Sequence, residues 1–139
     1  IPTGDPLWTN DVQTSMGWLG ELWQRVLAEF GIIDTAVATG SLVADDLGEL
    51  VCFAGQGPGE VVARSTHGQV AKYVGISQRR TKYLARFQCT AYCTWDAGLL
   101  AAVLRDDVDV SRLEHMVGVV PVAPRILASR LFELISDLD

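Results

Sequence analysis

Long apolar runs are missing from this chain of 139 residues. The longest, such as Gly98 to Leu104, fall far short of the roughly 20 residues that span a bilayer. The opening Ile1-Pro-Thr-Gly-Asp-Pro has neither the charged nor the apolar region of a signal peptide, so nothing here is expected to enter a membrane. The absent initiator methionine points to a processed or excised chain. Cysteine is scarce, three residues at 52, 89 and 93, an odd number set in apolar stretches. That suits buried free thiols in a reducing, cytoplasmic compartment better than a disulfide framework. Basic charge is in short supply too: 11 Lys and Arg face 17 Asp and Glu, a net charge of -6. The basic residues gather only between Arg64 and Arg86, so nucleic acid is not an expected partner. Repeats, low-complexity tracts and linkers are also lacking, and one domain with one core is expected.

What is present is helical and strand patterning in alternation. Leu19, Leu22, Trp23, Val26, Leu27 and Phe30 draw one apolar stripe along a helix, with Thr14 or Ser15 as cap and Gly31 as its left-handed end. Ile33 to Val43 and Leu50 to Ala54 read as a hairpin around Asp45, Asp46 and Gly48. Pro58, Gly59 and Glu60 suit the start of a second helix to about Val74. Thr81 to Phe87, Thr90 to Trp95 and Leu99 to Leu104 read as three strands, the last two separated by Asp96-Ala97-Gly98, while the alternation from Tyr83 to Trp95 also fits one long bent strand. After Asp106 and Asp107, Ser111 and Glu114 form a capping box for a further helix. Pro121 and Pro124 break it, and Ile126, Leu127, Leu131, Leu134, Ile135 and Leu138 make a fresh stripe from Pro124 onward. The expected fold is α+β: a five-stranded antiparallel sheet with helices packed on it, in the order αββαβββα. Residues 1–14 form an N-terminal arm, 15–120 the domain, and 121–139 a proline-broken helical extension packed on it.

Each candidate for chemistry competes with a plainer reading. Gly55-Gln-Gly-Pro-Gly-Glu could present amides to a phosphate, but it lacks the Lys-Ser/Thr of a P-loop, and Glu60 would repel an anion. Cys89 and Cys93 on one strand would lie about 13 Å apart, too far for one zinc, and His67 and His115 add no paired ligand spacing. Cys93, His67 and Asp96 can be imagined as a thiol-hydrolase trio, yet nothing around them supports it. No catalytic, cofactor or metal site is therefore assigned, and the chain is not expected to be an enzyme. Tyr83, Phe87, Tyr92 and Trp95 are more telling, because five strands cannot bury both faces under three helices. Another chain or the C-terminal extension should cover some of these rings.

The segment from Gly98 to Glu114, together with the opening helix and the turn Ala44-Asp-Asp-Leu-Gly-Glu, resembles the roadblock family, the dynein light chain and bacterial gliding-protein group of small GTPase partners. The resemblance covers residues 15 to about 120. It implies a homodimer in which third strands join into one sheet with the second helices beside them, here Thr81 to Phe87 and Glu60 to Val74. Val70, Tyr73, Tyr83, Ala85 and Phe87 would then lie at the dimer interface. It also implies a non-enzymatic signalling module that scaffolds or regulates a Ras-like small GTPase, alongside a sensor-kinase system protein. Two departures stand out: no glycine marks a turn after Phe87, and the extension to Asp139 is longer than that family needs. The alternative is a small-ligand sensor of profilin-like or PAS-like topology, with a pocket between sheet and helices near Gly55 to Glu60.

Overall fold

The computed structural model describes residues 1–64, 68–104 and 108–138. Its elements run α1 (Gly17–Glu29), β1 (Ala36–Val37), α2 (Asp46–Leu50), β2 (Val61–Arg64), β3 (Val70–Arg80), β4 (Ala85–Thr90), α3 (Ala97–Ala101), α4 (Val110–His115) and α5 (Pro124–Ser136). The four strands form one antiparallel sheet in the order β1-β2-β3-β4. The α+β class with an antiparallel sheet is as the sequence implied. The fifth strand and the order αββαβββα are not found among the described residues.

α1 follows its pattern closely. Leu19, Leu22, Trp23, Val26 and Leu27 are buried, and the helix closes on Gly31 at φ 83°. There the Gly31 N–H donates to the Ala28 carbonyl and the Ile32 N–H to the Leu27 carbonyl, both at 3.0 Å. This pair of bonds satisfies two carbonyls that a helix end otherwise leaves open. The expected cap is absent: Met16, not Thr14 or Ser15, holds the N-cap position, and no side chain makes a cap bond there. The Ser15 hydroxyl instead donates to the Val12 carbonyl and accepts from Gln78 Nε2 at 2.8 Å, tying α1 to β3.

Three corrections share one cause. The expected hairpin at 45–49 is the short helix α2, whose first amides are satisfied by Asp45 accepting from the Gly48 N–H at 2.9 Å. The strand expected over Leu99 to Leu104 is replaced by α3, where Asp96 accepts from the Leu99 N–H at 3.1 Å. The capping box at Ser111 is not the cap of α4; Asp109 accepts from the Ser111 N–H at 2.9 Å, and Ser111 lies inside the helix. A short acidic side chain can close a turn or cap a helix by the same bond, so its presence alone does not decide between them. Arg112 reaches both carboxylates of α2's start, Asp45 at 3.0 Å and Asp46 at 2.8 Å. The Arg112 guanidinium holds the Asp46 carboxyl down to about 2. The expected acidic turn at Asp106 and Asp107 falls outside the described residues.

The helix expected from Glu60 to Val74 is instead the strand pair β2 and β3. Val61 and Val62 favour a pleated surface, and Gly68 takes φ 80°, the conformation that lets the chain turn back between the strands. Between Val61 and Val62 the register slips: Val61 faces Val74 and Val62 faces Lys72, so Tyr73 is an extra residue on β3. This is a β-bulge, and it re-aims the side chains around it. The hairpin partner over Ile33 to Val43 shrinks to β1 and one bridge between Val43 and Gln56. Thr81 to Leu84 form the β3–β4 turn, not a strand.

α5 starts at Pro124 as its sequence dictates, since proline fits the first helical position. Leu127, Leu131 and Leu134 are buried and join Leu19, Leu22, Trp23, Val26, Leu27, Val61, Val74 and Ile76 in the main core. Ile126 and Leu138, read as part of that stripe, are 46% and 43% exposed. Arg130 clamps Glu29 at the end of α1 through two bonds of 2.6 and 2.9 Å. A second cluster of Leu47, Ala97, Leu113, Met116 and Val117 holds α2, α3 and α4 together. The N-terminal residues lie along β4: Ile1 and Ala85 exchange two backbone bonds of 2.9 and 2.8 Å, and the Thr3 N–H donates to the Tyr83 carbonyl. Arg80 stacks over Trp8, 4.3 Å from its centroid, and donates to the carbonyls of Thr9 and Asn10. No helix of the described residues is long and apolar enough to cross a membrane.

Candidate functional site: a cleft floored by β3 and β4

The last pair between β3 and β4 is Gly75 with Thr90, and beyond it the two strands part. Residues 116–120 enter the gap. The Lys72 N–H donates to the Met116 carbonyl at 2.9 Å, the Gly118 N–H donates to the Lys72 carbonyl at 2.8 Å, and the Val120 N–H donates to the Tyr92 carbonyl at 2.8 Å. Both backbone groups of Lys72 are thus tied to residues 116–118, while Val62 of β2 faces it on the other side. The bulged Tyr73 packs against the main core, and Gly118 is what admits it: a Cβ there would stand 2.4 Å from the ring. Lys72 instead lines an open cleft of about 750 Å³ with Gly75, Ser77, Gln88 and Thr90 of the sheet.

At the inner end of the cleft lies a buried ion pair. Lys72 Nζ is 2.8 Å from Glu60 Oε2, and the two side chains are only 4% and 10% exposed. The same carboxylate oxygen accepts from the Gly57 N–H at 2.6 Å. Lys72 Nζ also stands 4.9 Å from the centre of the Phe53 ring, a favourable approach of a cation to a π face. Phe53 begins a wall of three rings: Phe53 meets Tyr92 edge to face at 5.0 Å, and Tyr92 meets Trp95 at 4.8 Å. Trp95 is fixed by donating its indole N–H to the Leu113 carbonyl at 2.9 Å. Gly75 lets Phe53 lie against the sheet, since a Cβ there would come within 2.9 Å of that ring.

The five residues expected at a dimer interface fall into two groups in the structure. Val70 and Tyr73 sit on β3 and half-buried, Tyr83 is in the β3–β4 turn and 67% exposed, Ala85 is buried in β4 beside Ile1, and Phe87 is half-buried with its ring 5.6 Å from Trp18. The helix expected to carry Val70 and Tyr73 is replaced by β2 and β3, which puts those two residues on β3, while Tyr83, Ala85 and Phe87 line one groove beside β4. Glu60 of the glycine-rich corner does belong to a site, but as an internal partner of Lys72. Val61, next in the chain, opens a strand, so the corner has no helix terminus to offer a phosphate.

Cys52 is exposed, contrary to the expectation of three buried thiols, while Cys89 and Cys93 are half-buried. Burial pushes the Cys89 thiol up, which leaves it protonated and unreactive near neutrality. Asp96 serves as the cap of α3, His115 sits exposed with Nδ1 2.6 Å from the Ser111 carbonyl, and His67 lies outside the described residues. Among the described residues no group of three His, Cys, Asp or Glu is placed to hold a metal ion. Tyr92 and Trp95, singled out as rings needing cover, line the cleft. Lys72 went unremarked in the sequence, although a lone lysine within Val70-Ala-Lys-Tyr-Val-Gly-Ile is the kind of charge an apolar strand does not hold without a partner.

No protein-family model matches the chain, and neither curated proteins nor solved structures give a significant match.

Proposed function

We propose that this chain is a non-enzymatic binding domain that senses a small molecule in the cleft between β3, β4 and the Phe53–Tyr92–Trp95 wall. The supporting observation is the combination of a cavity of about 750 Å³ with an ion pair buried at its inner end. Small-molecule sites are concave, largely apolar and furnished with a few convergent polar groups, in volumes of about 300–1,000 Å³. Burying a lysine and a glutamate is costly, and an apolar pair would fill the space with equal or better stability. The pair therefore fits a role in recognition. The half-buried thiols at 89 and 93 suit a reducing cytoplasm. A thermal-shift screen across small-molecule classes should find compounds that raise the melting temperature, because a ligand at 100 times its Kd stabilises the folded state by about 2.7 kcal/mol. Ser77→Trp, which fills the mouth of the cleft, should remove the shift. A broad screen with no shift, or shifts that survive this substitution, would refute the reading.

A second reading keeps the roadblock-like interaction module, a homodimer that scaffolds a Ras-like small GTPase or sensor-kinase system protein. Its support is the outer edge of β4. Ile1 pairs with Ala85, and two residues on at each step, Phe87 and Cys89 turn their backbone groups to the same side. An open strand edge is a template for a further strand, and a groove of about 640 Å³ lined by Trp18, Phe87, Leu131 and Phe132 runs beside it. Sedimentation showing a dimer that Phe87→Asp or Phe132→Asp dissociates is the expected result; a monomer at micromolar concentration would exclude it.

A further inference from the structure

Resting on the ligand-binding reading, we infer that the cleft takes an uncharged, planar aromatic compound carrying a carbonyl oxygen. The oxygen belongs at Lys72. Its ammonium has three N–H donors; one meets Glu60, and another side of the group faces the Phe53 ring. Among the described residues no second oxygen takes the remaining donor capacity, and an acceptor atom on the ligand supplies it. Charge decides which acceptor. Lys72 and Glu60 together are neutral, so a carboxylate arriving there would place two negative groups around one positive group in a water-poor corner, at a Coulombic and desolvation cost. The chain's net charge of -6 and the Asp96 carboxylate at the rim add to that cost. A cation would meet Lys72 itself. A neutral carbonyl accepts the bond without disturbing the pair.

The ring follows from the walls. Phe53, Tyr92 and Trp95 stand edge to face in succession, an arrangement that presents alternating ring faces and edges to a flat apolar guest. Gly75 lets the Phe53 end of this wall close down on the floor, and Leu99, 70% exposed at the lip, gives an apolar edge for a ligand to cover. Farther out, Ser77, Gln88 and Thr90 offer side-chain donors and acceptors toward the mouth, where ring substituents would be read.

Three probes of similar size separate the terms: coumarin has the ring and a carbonyl, naphthalene has the ring alone, and 2-naphthoate has the ring and a charge. By calorimetry the wild-type chain should bind coumarin about tenfold more tightly than either of the others, the effect of one hydrogen bond from a charged donor. The Trp95 indole resonance should move on titration. In Lys72→Met/Glu60→Gln, where neither buried charge remains, coumarin and naphthalene should bind within about threefold of each other. Equal or tighter binding of 2-naphthoate, a coumarin advantage that survives in the double variant, or binding by none of the three would overturn the ligand class. The broad thermal-shift screen decides separately whether the cleft binds anything at all. If the double variant does not fold, the ranking of the three probes on the wild-type chain decides the matter.

Discussion

Replacing Lys72 by methionine alone should destabilise the chain by about 3–5 kcal/mol, because it leaves the Glu60 carboxylate buried without its counter-charge. Against a total stability of about 5–15 kcal/mol this is a large fraction. The Gly57 N–H at 2.6 Å would remain as a donor to Glu60, but one amide does not replace an ammonium in a corner that is nearly closed to water. Adding Glu60→Gln should recover most of the loss. The glutamine carbonyl still accepts from Gly57, and no net charge is left in the interior. Urea denaturation of the wild type, both single variants and the double variant completes the cycle. A coupling near zero would mean that the two groups are stable independently, and the ion pair would lose its standing as the organising feature of the cleft.

How much of this was legible in the sequence depended on whether one signal spoke alone. The stripe of α1, its end at Gly31, and the restart of the chain as a helix at Pro124 were all readable, because periodicity and terminal residues agreed. Where signals conflicted, the reading failed. Pro58 at an apparent helix start outweighed the β-branched Val61 and Val62, and the bulge at Tyr73 hid the strand alternation that would have corrected it: Val70, Lys72 and then Val74, Ile76 do not keep one face. Asp45 and Asp96 read as turn residues and Asp109 carries no distinct signal of its own, yet each caps a short helix. Their helices are five or six residues long, too short for a period to show. The cleft was legible only in pieces. Tyr92 and Trp95 stood out as rings with too little cover and Glu60 as a charge beside a glycine-rich corner, but their meeting with Lys72 depends on the register slip, which no local pattern encodes.

Gly20→Ala should also lower stability, although alanine is the better helix former by about 1 kcal/mol. Gly20 sits in the second turn of α1 where that helix crosses the corner before β2. A Cβ there would lie 2.2 Å from the Gly59 carbonyl oxygen and 2.8 Å from Val37 Cγ1. The first of these is backbone, which cannot rotate away. Gly59 has no room to yield either: its φ is 82°, and its own side of the contact is closed by the Met16 backbone, with 2.8 Å between a Cβ there and the Met16 oxygen. The strain of inserting a methyl into such a contact costs about 1–3 kcal/mol net of the helix gain. Gly17→Ala, in the first turn of the same helix with open space around it, is the control and should be neutral or stabilising by up to about 1 kcal/mol. The difference between the two variants in urea denaturation isolates the contact from the propensity. It also reaches the cleft, because Gly59 directly precedes Glu60: a helix pushed off Gly59 should shift the carboxylate that positions Lys72. Gly20→Ala is therefore expected to weaken coumarin binding relative to naphthalene, whereas Gly17→Ala should leave their ratio unchanged.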